Sequence, residues 1–269
     1  MQPPPFPSDG FSGVVRCRGE SWAFGLADRA HGIPNTVDTQ FGIASGTKAL
    51  TALTVEATLP DDLRARELLG DDLPLIDDRV TVRQLLDHTS GIGDYYDEEV
   101  ITGDYVTPKL HELGTTEDYV RVLDGYPQLF EPGARVKYCN SGYVVLALLA
   151  ERAAGRSFYD LVQEHVLDPA GMRDTAFFRS DELPGRAAIG YLENGRTNVF
   201  HLPVRGSGDG GAYTTLDDVD RLWAFAGERF DRIQGGDAGV GFVSVRGRYT
   251  VITNQATGGR QVVAALDEL

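Results

Sequence analysis

Residues 43–50 read IASGTKAL, and the chain runs on as TALTVEATLP to Pro60. Leu50, Leu53 and Ala57 recur near helical spacing and Pro60 suits a stop, so the stretch predicts a helix from Ser45 to about Leu59. A serine at a helix start has two readings. It can cap the helix, its oxygen accepting from an early backbone N–H. Or it can be a nucleophile, because Lys48, three residues on, shares its helix face at a Cβ separation of about 5–6 Å. These eight residues leave both readings open.

Working outward, strands stand at both ends of the chain and helices between them. FSGVVRCRGESWAFGLAD (11–28) reads as two short strands around Arg18-Gly19-Glu20, and VGFVSVRGRYTVITNQ (240–255) as a hairpin around Arg246-Gly247-Arg248. TVRQLLDHTSG (81–91), TTEDYVRVLDG (115–125), SGYVVLALLAERAAG (141–155), SFYDLVQEHVLDPAG (157–171) and TTLDDVDRLWAFAGERF (214–230) read as helices, most of them opened by a Ser or Thr cap. The third is apolar nearly all round, which predicts burial. A last helix closes the chain at RQVVAALDEL. This order predicts an α/β fold whose sheet is built from both termini and flanked by helices, with an all-helical domain inserted. The expected sheet domain takes residues 1–58 and 187–269, and the insertion takes 59–186.

Composition narrows the function classes. The chain has 269 residues, 42% hydrophobic and 24% charged, with 40 acidic against 25 basic side chains and a formal charge of −15. Such a surface repels nucleic acid and anionic membrane, both polyanions. Cys17 and Cys139 are the two cysteines, too few for a disulfide framework or a CxxC metal site. The histidines lack metal-ligand spacing. No apolar run reaches the roughly 18 residues of a membrane span. The start, MQPPPFPSDG, has neither the basic nor the apolar region of a secretory signal, so the expectation is a cytoplasmic chain, the alternative being one already stripped of its leader. The partner expected is a small-molecule substrate; oligomeric state is unreadable.

Two further stretches bear on Ser45. KYCNSGY places Tyr138 and Asn140 just before the apolar helix, and LLDHTSGI places His88 at a helix end. Read alone, Tyr138 is a core tyrosine and Asn140 a helix cap. Together with IASGTK and the later GSGDGGAYTTLDDVDRL, and in the family's expected order along the chain, they resemble the serine β-lactamase-like family, which includes class C β-lactamases, D-alanyl-D-alanine peptidases and related esterases. The resemblance runs from about Phe11 to Val263. It implies a β-lactamase/transpeptidase-like fold, an antiparallel sheet, an active site between the two domains, and no cofactor or metal.

The resemblance also assigns roles. Ser45 matches the acylated nucleophile and Lys48 its helix partner. Tyr138 matches the tyrosine that acts as base and then as acid toward the leaving group. Tyrosine ordinarily titrates near 10, so that role calls for a nearby cation such as Lys48. Asn140 matches a residue that bonds Lys48 and the substrate carbonyl. His88 braces the fold. The glycine-rich GSGDGG lacks the Gly-Lys-Ser/Thr of a phosphate loop and matches a turn beside the active site.

The third family motif, Lys-Thr-Gly or His-x-Gly on a strand, has its nearest match in Asp237-Ala238-Gly239, or one residue earlier at Gly236. Asp237 then replaces a cation or imidazole, Gly239 permits close approach, and the Val240 N–H is the second oxyanion donor. Asp237 would repel the carboxylate of a β-lactam or peptide substrate. Only residues 231–236 separate it from the preceding helix, an interval in which relatives fit a strand pair. The reading is a serine hydrolase that forms an acyl-enzyme on small esters or amides, with weak β-lactamase or D-amino peptidase activity beside it. The alternative is a catalytically silent ligand-binding protein on the same fold.

Overall fold

The structure, a computed structural model, describes residues 4–97 and 110–269. The first three residues of the proline-rich start and residues 98–109 of the expected helical insertion lie outside the described residues. The chain forms two compact units. The first comprises Met1–Thr47, Leu167–Leu202 and Gly210–Leu269; the second comprises Lys48–Val166 and Pro203–Asp209.

The first unit is built on a five-stranded sheet. Strands β1 (Gly13–Cys17) and β2 (Glu20–Phe24) come from the start of the chain; β3 (Arg232–Asp237), β4 (Val240–Val245) and β5 (Tyr249–Thr253) come from its end. The order is β2-β1-β5-β4-β3, and each neighbouring pair is antiparallel. Alternation along β1 sorts its two faces. Val15 and Cys17 join Trp22, Tyr249, Val251, Val262 and Leu266 in one apolar cluster. Val262 and Leu266 belong to a helix, Gly259–Asp267, which thereby covers that face. Arg16 points to the other face and pairs with Asp217 and Asp220 of a second helix, Leu216–Ala226. Trp223 of that helix donates to Ser244 Oγ on β4. The antiparallel sheet flanked by helices is therefore the architecture expected.

One strand was not expected. RIQGGD is polar and rich in glycine, so its sequence carries no strand pattern, yet it forms β3 and pairs with β4 from Arg232↔Val245 to Asp237↔Val240. The backbone hydrogen bonds of the ladder supply what side-chain packing does not.

The second unit is helical. Its centre is the helix Asn140–Ala154, whose residues from Asn140 to Ala150 are all buried and which ends at Gly155 in the left-handed conformation. Leu146, Leu148 and Leu149 have no exposed surface; burial of each contributes about 1.5–3 kcal/mol. A short helix, Val82–Leu86, opens with a capping box in which Thr81 and Gln84 satisfy each other's backbone N–H groups. No helix of the described residues is long and apolar enough to cross a membrane.

The division differs from the sequence expectation at both boundaries and at Pro203–Asp209, expected in the sheet domain and lying in the second unit. The helix Thr47–Thr58 lies in the second unit from Lys48 onward, where Thr51 Oγ1 donates to the Gly208 carbonyl. Residues 167–186 lie in the first unit, because Asp174 N–H donates to Asp218 and Ala176 bridges to Tyr213.

Candidate active site

Ser45 sits in a tight turn of the first unit. Ala44–Gly46 form one 3₁₀ turn that continues directly into the helix Thr47–Thr58. The residue in the capping position is Ile43, and no side chain caps the turn. Ser45 itself is the middle residue of the turn. Ala212 straps the turn from both sides: its carbonyl accepts from Ile43 N–H at 3.0 Å and its N–H donates to Thr47 Oγ1 at 3.1 Å. Ala44 is held at φ +45°, a left-handed conformation that costs a non-glycine residue about 1–3 kcal/mol. Across residues 43–48, Ser45 alone escapes full burial.

The backbone at Ser45 is approached closely from β3. A Cβ on Gly235 would lie 2.6 Å from the amide nitrogens of both Ser45 and Gly46 and would overlap the Ile43 carbonyl. A Cβ on Gly46 would strike the Phe242 ring of β4 at 2.5 Å. Both glycines are required by close packing of strand against turn.

The other expected residues of this unit lie two to five positions beyond Gly235. Asp237 is the last residue of β3, exposed, with its carboxylate accepting from the next N–H, that of Ala238. Its negative charge, after burial, helps to push the Tyr213 hydroxyl up to about 12. Gly239 turns the hairpin at φ +70° and packs on the backbone of Tyr191. Val240 opens β4 opposite Asp237. The glycine that meets Ser45 is thus Gly235, which sequence reading passed over because no motif letter marks it. Arg246 is engaged by Asp231 and Arg248 by the carbonyls of Leu266 and Asp267.

The second unit carries the cation. Lys48 is buried, and its ammonium donates to Asn140 Oδ1 and to the Asp209 carbonyl, each at 2.8 Å. It lies 4.9 Å from the centre of the Tyr138 ring and 5.6 Å from that of Tyr143. These distances lie within cation–π range. The Tyr138 side chain is 41% exposed. Lys48, Tyr138 and Asn140, three residues singled out from sequence, are therefore gathered around one ammonium group.

His88 holds Tyr138 from both sides along the chain. Its carbonyl accepts from Lys137 N–H and its Nδ1 accepts from Cys139 N–H, while its ring lies 4.8 Å from that of Tyr138. Burial, and then the positive charge of Lys48, lower its pKa to about 4. It is neutral at neutral pH and its Nδ1 is an acceptor, which suits a brace. Cys139 is buried between Ile92 and Gly93, and burial pushes its thiol well above the ordinary range. Among the described residues, no group of three or more His, Cys, Asp or Glu is arranged to hold a metal ion.

The Beta-lactamase family model matches residues 9–259. D-aminopeptidase of Brucella anthropi is 32% identical over 223 residues, covering 73% of this chain and 38% of that protein. D-aminopeptidase of Cereibacter sphaeroides (strain ATCC 17029 / ATH 2.4.9) is 29% identical over 218 residues, covering 78% of this chain and 41% of that protein. The crystal structure of a penicillin-binding protein from Bacillus halodurans superposes with a TM-score of 0.84 at 29% identity, covering 96% of each chain. The fold is that of β-lactamases and transpeptidases. The chain belongs to the Beta-lactamase family. It spans about two fifths of the length of the curated relatives it matches.

Proposed function

We propose that this protein is a serine hydrolase that works through an acyl-enzyme, with Ser45 as the nucleophile. The observation that carries the reading is the Lys48 ammonium held between Asn140 Oδ1 and the Asp209 carbonyl beside the Tyr138 ring. A buried lysine costs free energy unless its charge is satisfied, and this one is placed three residues after Ser45 on continuous helical backbone. The left-handed Ala44 and the two packed glycines add support, since strain and close backbone approach concentrate where a nucleophile must be aimed.

In this reading Ser45 Oγ attacks the substrate carbonyl carbon and its proton passes to the Tyr138–Lys48 pair. The carbonyl oxygen becomes an oxyanion, stabilised by N–H groups at the helix start and along β3. The carbon–leaving-group bond then breaks, and the departing alcohol or amine takes the proton back. Water attacks the ester on Ser45 with the same pair as base, releasing the carboxylic acid and restoring the serine.

The substrates are small neutral esters or amides, and amides or esters bearing an ammonium group. Asp237 supports this choice. It lies two residues from Gly235 on β3, on the same face of the strand, where an anionic substrate would be repelled. Relatives that carry the name D-aminopeptidase are consistent with an acyl donor that is not an anion. Two unit charges about 4 Å apart repel by about 4 kcal/mol at an effective dielectric of about 20. Exposure screens Asp237, so a tenfold effect, about 1.4 kcal/mol, is expected rather than the whole. Steady-state kinetics on p-nitrophenyl acetate and a chromogenic cephalosporin test this: the ester has the higher kcat/KM, and Asp237→Asn narrows the gap about tenfold. A cephalosporin preference that Asp237→Asn leaves unchanged contradicts the substrate assignment.

A further inference from the structure

Two oxygen atoms that accept from the Lys48 ammonium, Asn140 Oδ1 and the Asp209 carbonyl, are themselves held by one short segment. Residues 94–96, Asp94-Tyr95-Tyr96, follow directly on the HTSGIG stretch. The Asp94 carboxylate accepts from Asn140 N–H at 2.8 Å, from Ser141 N–H at 3.0 Å and from Ser141 Oγ at 3.2 Å. It caps the helix that begins at Asn140, where a carboxylate also suits the positive end of the helix dipole. The Tyr96 carbonyl accepts from Asn140 Nδ2 at 2.8 Å, which fixes the amide so that Oδ1 faces Lys48. Tyr95 N–H donates to Ser141 Oγ, and Tyr95 hydroxyl donates to Asp209 Oδ2 at 2.6 Å. Asp209 is the residue whose carbonyl is the second acceptor for Lys48.

We propose that Asp94-Tyr95-Tyr96 is the positioning element of the lysine site, with Tyr95 and Asp209 as positioning residues that act through Lys48. The inference rests on the catalytic reading of Ser45 and Lys48. Asn140 is fixed through its backbone and its amide, and Asp209 through its side chain, so both acceptors are set by the same three residues. The hydroxyl of Tyr95 is the tether on the Asp209 side chain that comes from this segment. Misplacement of a catalytic group by about 1 Å can cost about 100-fold in rate. The chemistry requires only that Asp209 present an acceptor to Tyr95, which an asparagine also does.

The test is the rate at which a fluorophosphonate phosphonylates Ser45, with loss of fluoride, together with kcat and KM on p-nitrophenyl acetate. It compares wild type, Tyr95→Phe, Asp209→Ala, Asp209→Asn and the Tyr95→Phe/Asp209→Ala double variant. Tyr95→Phe and Asp209→Ala each lower kcat and the phosphonylation rate about 10- to 100-fold with KM within about twofold. The double variant is no worse than either, because both remove one tether. Asp209→Asn, which keeps the acceptor, stays within about threefold of wild type. Thermal melting of each variant separates a positioning loss from a folding loss: the proposal requires the rate to fall in molecules that still melt cooperatively. Wild-type rates in Tyr95→Phe overturn the proposal, as does Asp209→Asn falling as far as Asp209→Ala, or losses that multiply in the double variant. If the wild-type protein acylates at no serine, the catalytic reading itself fails and the inference falls with it.

Discussion

Gly235 of β3 leaves no space between itself and the backbone of Ser45: a methyl group there would lie 2.6 Å from the Ser45 nitrogen. The three nearest atoms it would meet all belong to the backbone, so no side-chain rotation relieves the clash. Gly235→Ala must therefore move the turn or the strand. Overpacking of this kind costs about 1–3 kcal/mol in stability. A displaced nucleophile costs more in rate than in binding, so kcat on p-nitrophenyl acetate is expected to fall about 100-fold with a modest fall in melting temperature. Gly236→Ala, whose Cβ meets nothing within 4 Å, is the matched control and is expected to retain activity.

Lys48 and Tyr138 are expected to act as a unit, because the ammonium lies 4.9 Å from the ring it would serve. Groups that share one proton transfer show non-additive losses. Lys48→Ala and Tyr138→Phe are each expected to remove most of kcat, and the double variant to be little worse than the more severe single one. Fully multiplicative losses in steady-state kinetics would mean that the two act separately.

His88 makes stability depend on acidity. Its folded-state pKa, about 4, lies below the ordinary value of 6.5, because burial and Lys48 disfavour the imidazolium. The unfolded chain therefore binds more protons between these values, and its contribution to stability is complete above 6.5 and is lost as pH falls toward about 4. Melting temperature is expected to drop across that window in wild type and to drop less in His88→Gln, whose amide oxygen still accepts from Cys139 N–H. Equal slopes for the two proteins would remove His88 as the cause.

Much of this architecture is legible in the sequence because packing signals are local. The hairpin around Arg246-Gly247-Arg248 and the apolar run after Asn140 announce β4, β5 and the central helix by period alone. Ser45, Lys48, Tyr138 and Asn140 stand out in the sequence because four short motifs occur in a recognisable order. β3 is not legible, because RIQGGD holds its place through ladder hydrogen bonds and through glycines that admit a neighbouring backbone. Gly235 is invisible for the same reason: the absence of a side chain matters only once the Ser45 turn is beside it. Asp94 and Asp209 read as ordinary loop acids. Their importance comes from hydrogen bonds to residues 46 and 114 positions away in the chain, which no local pattern reports.

The central claim is that Ser45 is the activated nucleophile, which a fluorophosphonate phosphonylates with loss of fluoride. Peptide mass mapping after incubation with a fluorophosphonate measures it directly. The account predicts one adduct, on the peptide that contains Ser45, and none in Ser45→Ala. An adduct on Ser90 or Cys139, or labelling that survives Ser45→Ala, would contradict it.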